Sequence, residues 1–218
     1  MFDVLNMSRN ETVLNYRESL LRKSDVDLLR GPYWLNDSII SFYFEYLENE
    51  VFDNHPNLLF VSPEVTQCIK MGPKNDIGIF LNPLMSEGNR KFVFFALNDH
   101  TESDSSGGSH WSLLVFSSPE NAFFHFDSSS GSNHREANEL SQKLSHYFHL
   151  PMLKYDEGIC LQQGNSYDCG VHLICNAEVL AQYAIRNKRI SGSPKINPDI
   201  VATKRLEILD IIENLRER

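Results

Sequence analysis

Residues 162–170 read Gln-Gln-Gly-Asn-Ser-Tyr-Asp-Cys-Gly and lead directly into the apolar run Val-His-Leu-Ile-Cys-Asn-Ala-Glu-Val-Leu at 171–180. The second run has the composition of a buried helix, so the pattern predicts that Cys169 lies at a helix N-terminus. Unpaired backbone N–H groups and the positive end of the helix dipole favour a thiolate there, and the thiolate is the nucleophilic form. The stretch therefore indicates a cysteine nucleophile presented on a helix.

A candidate base and a carboxylate to orient it lie upstream. They matter because a lone cysteine is more often a small buried hydrophobe. His110 follows the glycine-rich segment 107–109 and opens the strand-like run 111–116, and Asp127 ends the strand-like run 121–127. If these runs pair as neighbouring strands, the imidazole and the carboxylate meet at one sheet edge, as activation of a nucleophile requires. Each also has an ordinary alternative, since most histidines are structural and Asp127 could be a turn residue before the run 128–131.

The order of histidine, aspartate, glutamine and cysteine resembles the Ulp or sentrin-specific protease family, whose members cleave ubiquitin-like proteins. The similar motifs are Trp34-Leu35-Asn36-Asp37 (tail binding), Gly108-Ser109-His110-Trp111 (histidine), Phe126-Asp127-Ser128 (aspartate), and Gln163 with Asp168-Cys169-Gly170 (nucleophile). The likeness is closest to the deneddylase branch, through segments 61–67, 96–99, 110–115 and 165–170, and it spans roughly residues 16–185.

The resemblance implies the fold and the activity. The expected fold is an α+β domain of the papain-like Ulp type, in which helices flank a mixed, mainly antiparallel sheet and the nucleophile lies at a helix N-terminus. The expected activity is that of a deneddylase, which processes the neddylation modifier and removes it from targets such as cullins. Cleavage follows a Gly-Gly tail and passes through a thioester. No metal or organic cofactor is called for, because side chains supply the nucleophile, base and oxyanion donor, and the His and Cys spacing fits no zinc site.

The resemblance also implies the residue roles at the reacting centre. Cys169 is the nucleophile, His110 the base and Asp127 its orienting acid. The side-chain amide of Gln163, with the Cys169 backbone N–H, stabilises the oxyanion. Gln162 is a rival for that role, and the ordinary alternative is that both are polar loop residues. The sequence departs from the deneddylase pattern at Gly164, where a second glutamine is expected.

Four further residues are expected to bind the substrate. By resemblance, the chain's two tryptophans, Trp34 and Trp111, flank a channel too narrow for any tail but glycine. Asp37 is placed to meet a basic residue before the two glycines, and Asn98 belongs to the same set. The alternatives are a buried aromatic core for the tryptophans and simple capping of the first helix for Asp37.

Composition limits the architecture and the partners. A chain of 218 residues commonly folds as one unit. We expect a single catalytic domain over 1–218, with a short flexible N-terminus of about residues 1–12 and a C-terminal helix of about 198–215. The net charge of −9 argues against nucleic acid and anionic membranes and suits a basic partner.

The apolar runs and the cysteines indicate the compartment. No apolar run approaches the length of a membrane span, and the first residues do not resemble a secretory signal. The four cysteines show no Cys-x-x-Cys pair, which is typical of a reducing compartment. We therefore expect a monomer in the cytoplasm or the nucleus.

The remaining expectations concern local structure. Asn36 begins the first helix, Ser62 caps a helix through Ile69, and Asn133 caps the next helix. Strands are predicted at 58–61, 91–97, 111–116, 122–126 and 152–155. Asp168 is expected to cap the nucleophile helix and His172 to be structural, and the polar segment 100–108 is expected to be a mobile loop, either ordered by substrate or simply solvated.

Two other functions remain open. One is a protease for the SUMO-type modifier, and the other is a non-catalytic module that binds a ubiquitin-like protein. A transferase built on the same fold is a third and more remote alternative. The set of histidine, aspartate, glutamine and cysteine disfavours the binding module.

Overall fold

The structure, a computed structural model, describes residues 8, 10–102 and 107–218. The predicted flexible N-terminus and the predicted mobile loop lie partly outside the described residues. A hairpin occurs where the sequence predicted little: β1 (Thr12–Tyr16) pairs antiparallel with β2 (Ser19–Arg22), and a short helix α1 (Lys23–Asp27) follows.

A five-stranded sheet forms the centre of the fold. Its strands, in spatial order, are β3 (Leu58–Val61), β4 (Phe92–Asn98), β5 (Trp111–Ser117), β6 (Ala122–Phe126) and β7 (Tyr155–Glu157). The outer pairs β3–β4 and β6–β7 are parallel, and the inner pairs β4–β5 and β5–β6 are antiparallel. With β1–β2, three of the five pairings in the described part of the chain are antiparallel. The predicted α+β fold with a mixed sheet is confirmed.

The last strand is the one that the sequence placed wrongly. A strand was predicted at 152–155, but β7 begins at Tyr155, where it pairs with Phe123. Met152 is largely exposed. The apolar character of that stretch therefore does not report burial against the sheet, and the polar residues after it form the ladder instead.

Six longer helices surround the sheet. They are α2 (Asp37–Tyr46), α3 (Pro63–Met71), α4 (Ile77–Ser86), α5 (His134–Tyr147), α6 (Cys169–Asn187) and α7 (Pro198–Arg216). Helix α2 begins next to Asn36, as predicted, and Asn36 caps it by accepting from the Ile39 N–H. Ser62 caps α3 in the same way, the role predicted for it. Helix α4 was not predicted, and it contains Pro83.

Two apolar clusters cover the two faces of the sheet. One packs α2, α6 and α7 against Phe94, Leu113 and Val115, and the other packs α3, α4 and α5 against Phe95 and Leu114. Because both faces are covered, the central strands are almost continuously apolar, and this made them recognisable in the sequence. No helix in the described ranges is long and apolar enough to cross a membrane.

Candidate active site

The proposed nucleophile lies at the start of a buried helix. Cys169 is the first residue of α6, and its side chain is buried, with 2% of the residue exposed. The predicted position at a helix N-terminus is confirmed. The helix dipole and the free N–H groups of its first turn therefore point at the thiol.

His110 and Asp127 meet at one edge of the sheet, as their sequence positions predicted. His110 directly precedes β5 and Asp127 directly follows β6, and the antiparallel register pairs Leu113 with Phe126. The His110 Nε2 atom lies 2.6 Å from Asp127 Oδ1, and both residues are buried. His110 and Cys169 line the same pocket, and the thiol lies close enough to the imidazole to affect its pKa. The structure thus brings the predicted nucleophile, base and orienting acid together.

The charge states of His110 and Asp127 depend on hydrogen bonds and charge interactions, which oppose the effect of burial. Burial lowers the pKa of His110, but hydrogen bonds and charge interactions with Asp127 and Cys169 outweigh it and raise that pKa to about 9. Burial raises the pKa of Asp127, but hydrogen bonds from His110 and from the backbone N–H groups of Asn133 and Ser129 keep it below its usual value. A carboxylate beside an imidazolium is therefore the favoured state.

Asn133 supports this pair in a way that the sequence did not reveal. It occupies the N-cap position of α5, but its side chain makes no cap hydrogen bond, so the predicted capping role is wrong. Its Nδ2 instead donates to the His110 carbonyl (3.3 Å) and to Ser112 Oγ (2.9 Å), while its backbone N–H donates to Asp127 Oδ2 (3.0 Å). The inward contacts replace the cap because they satisfy buried acceptors beside the base.

Asp99 fixes the approach of the chain to His110. Its Oδ1 accepts from the backbone N–H groups of Ser109 (2.7 Å) and His110 (3.1 Å), and its Oδ2 accepts from Ser109 Oγ (2.6 Å). Burial raises the pKa of Asp99, but these three hydrogen bonds outweigh it and lower that pKa. The glycine-rich turn before the histidine is therefore held by a carboxylate, to which the sequence assigned no role.

The two candidate oxyanion donors lie beside the base and differ in their partners. Gln163 accepts from Ser128 Oγ (2.7 Å) and donates to the carbonyl of Asn165 (2.6 Å) in the nucleophile loop. Gln162 donates to the carbonyl of Asp127 (2.9 Å). Gln162 is therefore committed to the turn that carries the orienting acid. The oxyanion role of Gln163 remains a prediction, and its amide already belongs to the loop that carries Cys169.

A pocket of about 200 Å³ opens directly onto Cys169. Its lining includes all four predicted substrate-binding residues together with the base and the nucleophile: Trp34, Asp37, Asn98, Trp111, His110 and Cys169. Trp34 is 49% exposed, so its alternative as core aromatic is wrong, whereas Trp111 is 7% exposed and both fills the core and lines the pocket. The indole of Trp34 donates to the Ser166 carbonyl (2.5 Å) and that of Trp111 to the Leu35 carbonyl (3.0 Å).

Asp37 is available at this pocket because a neighbour performs the capping. Asn36 caps α2, and Asp37 lies in its first turn without a salt bridge among the described residues. Partial desolvation by the pocket wall and the negative charge of Glu64 raise the pKa of Asp37. A cationic group brought to the pocket would relieve both effects.

Asp168 has a different partner from the one predicted. Its side chain makes no cap hydrogen bond, because its backbone is not in the extended conformation of a cap. Its Oδ1 accepts from Arg205 Nη2 (2.8 Å), and its Oδ2 accepts from Asn165 Nδ2 (2.7 Å). His172 is buried one turn into α6, and burial lowers its pKa, in agreement with a neutral structural residue.

The described residues contain no group of three or more His, Cys, Asp or Glu side chains arranged to hold a metal ion. The clustered groups are those of nucleophilic catalysis: a thiol, an imidazole that can take its proton, and a carboxylate that fixes the imidazole. The thiol and the imidazole line a pocket that both indoles also line.

Comparison with known proteins shows which family the chain is similar to. Residues 90–208 match the model of the Ulp1 protease family, C-terminal catalytic domain. The chain is 43% identical over 210 residues to sentrin-specific protease 8 of Homo sapiens, an alignment that covers 94% of this chain and 98% of that protein. It is 31% identical over 222 residues to NEDD8-specific protease 1 of Arabidopsis thaliana, with 96% of each covered.

Solved structures share the fold at much lower identity. The C-terminal Ulp1 protease domain in complex with Smt3, the yeast ortholog of SUMO, superposes with a TM-score of 0.75 at 17% identity, covering 99% of this chain and 92% of that one. The Xanthomonas campestris effector XopD bound to ubiquitin gives a TM-score of 0.65 at 21% identity, covering 85% and 92%.

Proposed function

The chain belongs to the Ulp1 protease family and is a cysteine peptidase of ubiquitin-like modifiers, and we propose that its own modifier is NEDD8, which it processes and removes from target proteins. The observation that carries the chemistry is the His110–Asp127 pair, 2.6 Å apart, with His110 lining the same pocket as Cys169 at the start of α6. The choice of modifier rests on the relatives named as NEDD8-specific and sentrin-specific proteases that align over nearly the whole chain.

The residues divide the reaction among them. His110 takes the proton of Cys169, or holds it already as an imidazolium beside a thiolate, while Asp127 fixes the ring through Nε2. The thiolate attacks the carbonyl of the terminal glycine, and the Gln163 amide with the Cys169 backbone N–H stabilises the oxyanion. Protonated His110 releases the amine or the C-terminal peptide, and water then hydrolyses the thioester.

In this proposal the two glycines of the tail lie in the pocket that Trp34 and Trp111 line, where the absence of a Cβ atom lets an extended backbone pass. Asp37 lies at the same pocket with a raised pKa and no ion partner among the described residues, so a basic residue before the glycines would pair with it. Asn98 lines the same pocket beside Gly108, in the turn before His110.

We also propose that the protein acts as a monomer in the cytoplasm or the nucleus and that its conjugated substrates include cullins. The net charge of −9 supports a partner with a basic surface. The free thiols of Cys68, Cys160, Cys169 and Cys175 support a reducing compartment.

The decisive experiment is capture by a panel of modifiers, NEDD8, SUMO and ubiquitin, each carrying a C-terminal electrophile. We expect rapid adduct formation with NEDD8 alone in the wild type, none in Cys169→Ala, and the wild-type rate in Cys175→Ala, which removes another buried thiol from the same helix. Capture of SUMO instead would keep the chemistry and overturn the substrate. Capture of none would favour the non-catalytic binding module.

A further inference from the structure

The most heavily bonded side chain near the site belongs to neither the motifs nor the sheet. Arg205 lies in α7, and its guanidinium joins three separate segments. Nε and Nη2 donate to Asp168 Oδ1 (3.1 and 2.8 Å), Nη1 donates to the carbonyl of Leu28 (2.8 Å), and Nη2 also donates to the carbonyl of Tyr33 (2.7 Å). The side chain is mostly buried, and it also lies over the ring of Tyr167.

Two of these segments lead into the lining of the catalytic pocket. Tyr33 directly precedes Trp34, and Asp168 directly precedes Cys169. The only other hydrogen bond described between these two segments is the one from the Trp34 indole to the Ser166 carbonyl. The other side of the 33–36 segment is held by Trp111 through Leu35. We call the segment 33–36 that carries Trp34 the Trp34 wall of the pocket. Arg205 therefore fixes the distance between the Trp34 wall and Cys169.

The contact between Arg205 and Asp168 also neutralises a negative charge next to the nucleophile. The Asp168 carboxylate lies one residue before Cys169, where an unpaired negative charge would oppose formation of a thiolate. Arg205 neutralises it with two hydrogen bonds to one oxygen, a charge-assisted contact of the stronger kind. A lysine at position 205 would keep the positive charge but lose the planar guanidinium with its several N–H donors. It could not bond the Asp168 carboxylate and the carbonyls of Leu28 and Tyr33 together.

We propose that Arg205 is a positioning residue of the active site, which holds the Trp34 wall against the nucleophile loop and neutralises Asp168 so that the pocket and the reactive thiol form together. Its role in the pocket rests on the proposed function, because it presumes a modifier tail there. Its role at the thiol does not, because that role can be measured in the free protein.

The neighbouring residue supplies a matched control. Lys204 is more deeply buried, at 2% exposure, and it is paired with Glu178 and Glu207 and bonded to Tyr43. None of these partners lines the catalytic pocket. Lys204→Met therefore tests what the loss of a buried cation from α7 does to stability alone.

The first measurement is the pH dependence of alkylation of Cys169 by iodoacetamide, followed on the peptide that contains it, because the exposed thiol of Cys68 will react as well. We expect Arg205→Ala to move the profile to higher pH and to slow alkylation at neutral pH about tenfold. Adding Asp168→Asn to Arg205→Ala should restore the profile. Arg205→Lys should stay near wild type, and Lys204→Met should lower the melting temperature with the profile unchanged.

The second measurement is steady-state cleavage of a NEDD8 precursor. We expect KM to rise severalfold in Arg205→Ala and in Arg205→Lys, and to stay raised in the double variant, because the bond to the Tyr33 carbonyl is lost in all three. A folded Arg205→Ala protein with the wild-type alkylation profile and the wild-type KM would overturn the proposal. A wild type that cleaves no modifier but shows the Arg205-dependent profile would overturn the proposed function and support the role at the thiol.

Discussion

The two halves of the catalytic cluster are held in different ways. His110 and Asp127 lie at the ends of two consecutive, paired strands, and the groups that bond the Asp127 carboxylate and the His110 backbone come from the chain between Asp99 and Asn133. Cys169 begins a helix, but the walls around it come from segments far apart in sequence, joined by the side chains of Trp34 and Arg205. The first, which we call the strand-built half, is fixed by strand pairing. The second, which we call the nucleophile half, depends on individual long-range contacts.

This difference predicts how each half fails. Substitutions in the strand-built half should affect the chemical step and leave the modifier bound, because the sheet remains in place. Substitutions in the nucleophile half should affect positioning of the tail as well, because the same contacts shape the pocket. Measuring kcat and KM separately distinguishes the two outcomes.

The largest effect is expected from Asp127→Asn. The amide keeps the shape but removes the negative charge that holds the proton on His110, so kcat should fall by up to about 10⁴-fold with KM little changed. Asp156→Asn, on the adjacent strand β7, is the control and should behave as wild type. A loss of less than tenfold would remove Asp127 from the role of orienting acid and with it the contrast between the halves.

Gln162 and Gln163 test which half supplies the oxyanion donor, because Gln162 is bonded to Asp127 and Gln163 to Asn165 in the loop before Cys169. Gln163→Ala should lower kcat roughly 10²–10³-fold, because an oxyanion donor is lost. Gln162→Ala should have a smaller effect, exerted through the Asp127 turn to which it is bonded. Equal losses in the two variants, or a larger loss for Gln162→Ala, would transfer the oxyanion role to Gln162.

The pH dependence of kcat/KM should report directly on His110, the base in the strand-built half. The pKa of His110 is raised to about 9 from an ordinary 6.5, so the imidazolium persists below pH 9 and is lost as pH rises through that value. We expect the alkaline limb of kcat/KM to fall near pH 9 in the wild type. In Asp127→Asn, measured at high enzyme concentration, the limb should move towards 6.5. The same limb in both proteins would mean that Asp127 does not hold the proton on His110.

The turn before His110 should be intolerant of any side chain. Gly108 has φ of +96°, and a Cβ atom there would stand 1.8 Å from Asn98 Oδ1. Gly108→Ala should therefore cost about 1–3 kcal/mol of unfolding free energy for the backbone, with more for the overlap. Gly131→Ala shares the positive φ but meets open space, so it should show the backbone cost alone in thermal denaturation. Equal melting temperatures would contradict the clash.

The sequence predicted the two halves unequally, for the same physical reason. The strands that carry His110 and Asp127 are long apolar runs joined by a short turn, so their pairing follows from local pattern alone. The position of Cys169 at a helix N-terminus is equally local. The partner of Asp168 was predicted wrongly, because its sequence signal is that of a cap and the competing guanidinium lies 37 residues away. Asn133 was misassigned in the same way, since the buried acceptors beside His110 are invisible to a capping pattern.

The smallest effect should come from Trp34→Phe, and it isolates one contact of the nucleophile half. Phenylalanine keeps an aromatic face on the pocket but loses the indole bond to the Ser166 carbonyl, worth about 1 kcal/mol. We expect KM to rise about fivefold with kcat unchanged, and Trp34→Ala to add the loss of the wall itself. In Trp111→Phe the lost bond leaves the Leu35 carbonyl unpaired beside the buried ring, so stability should fall as well. If Trp34→Phe instead lowered kcat and left KM unchanged, the Trp34 contact would serve the reacting centre, and positioning of the tail would lose its main support in this half.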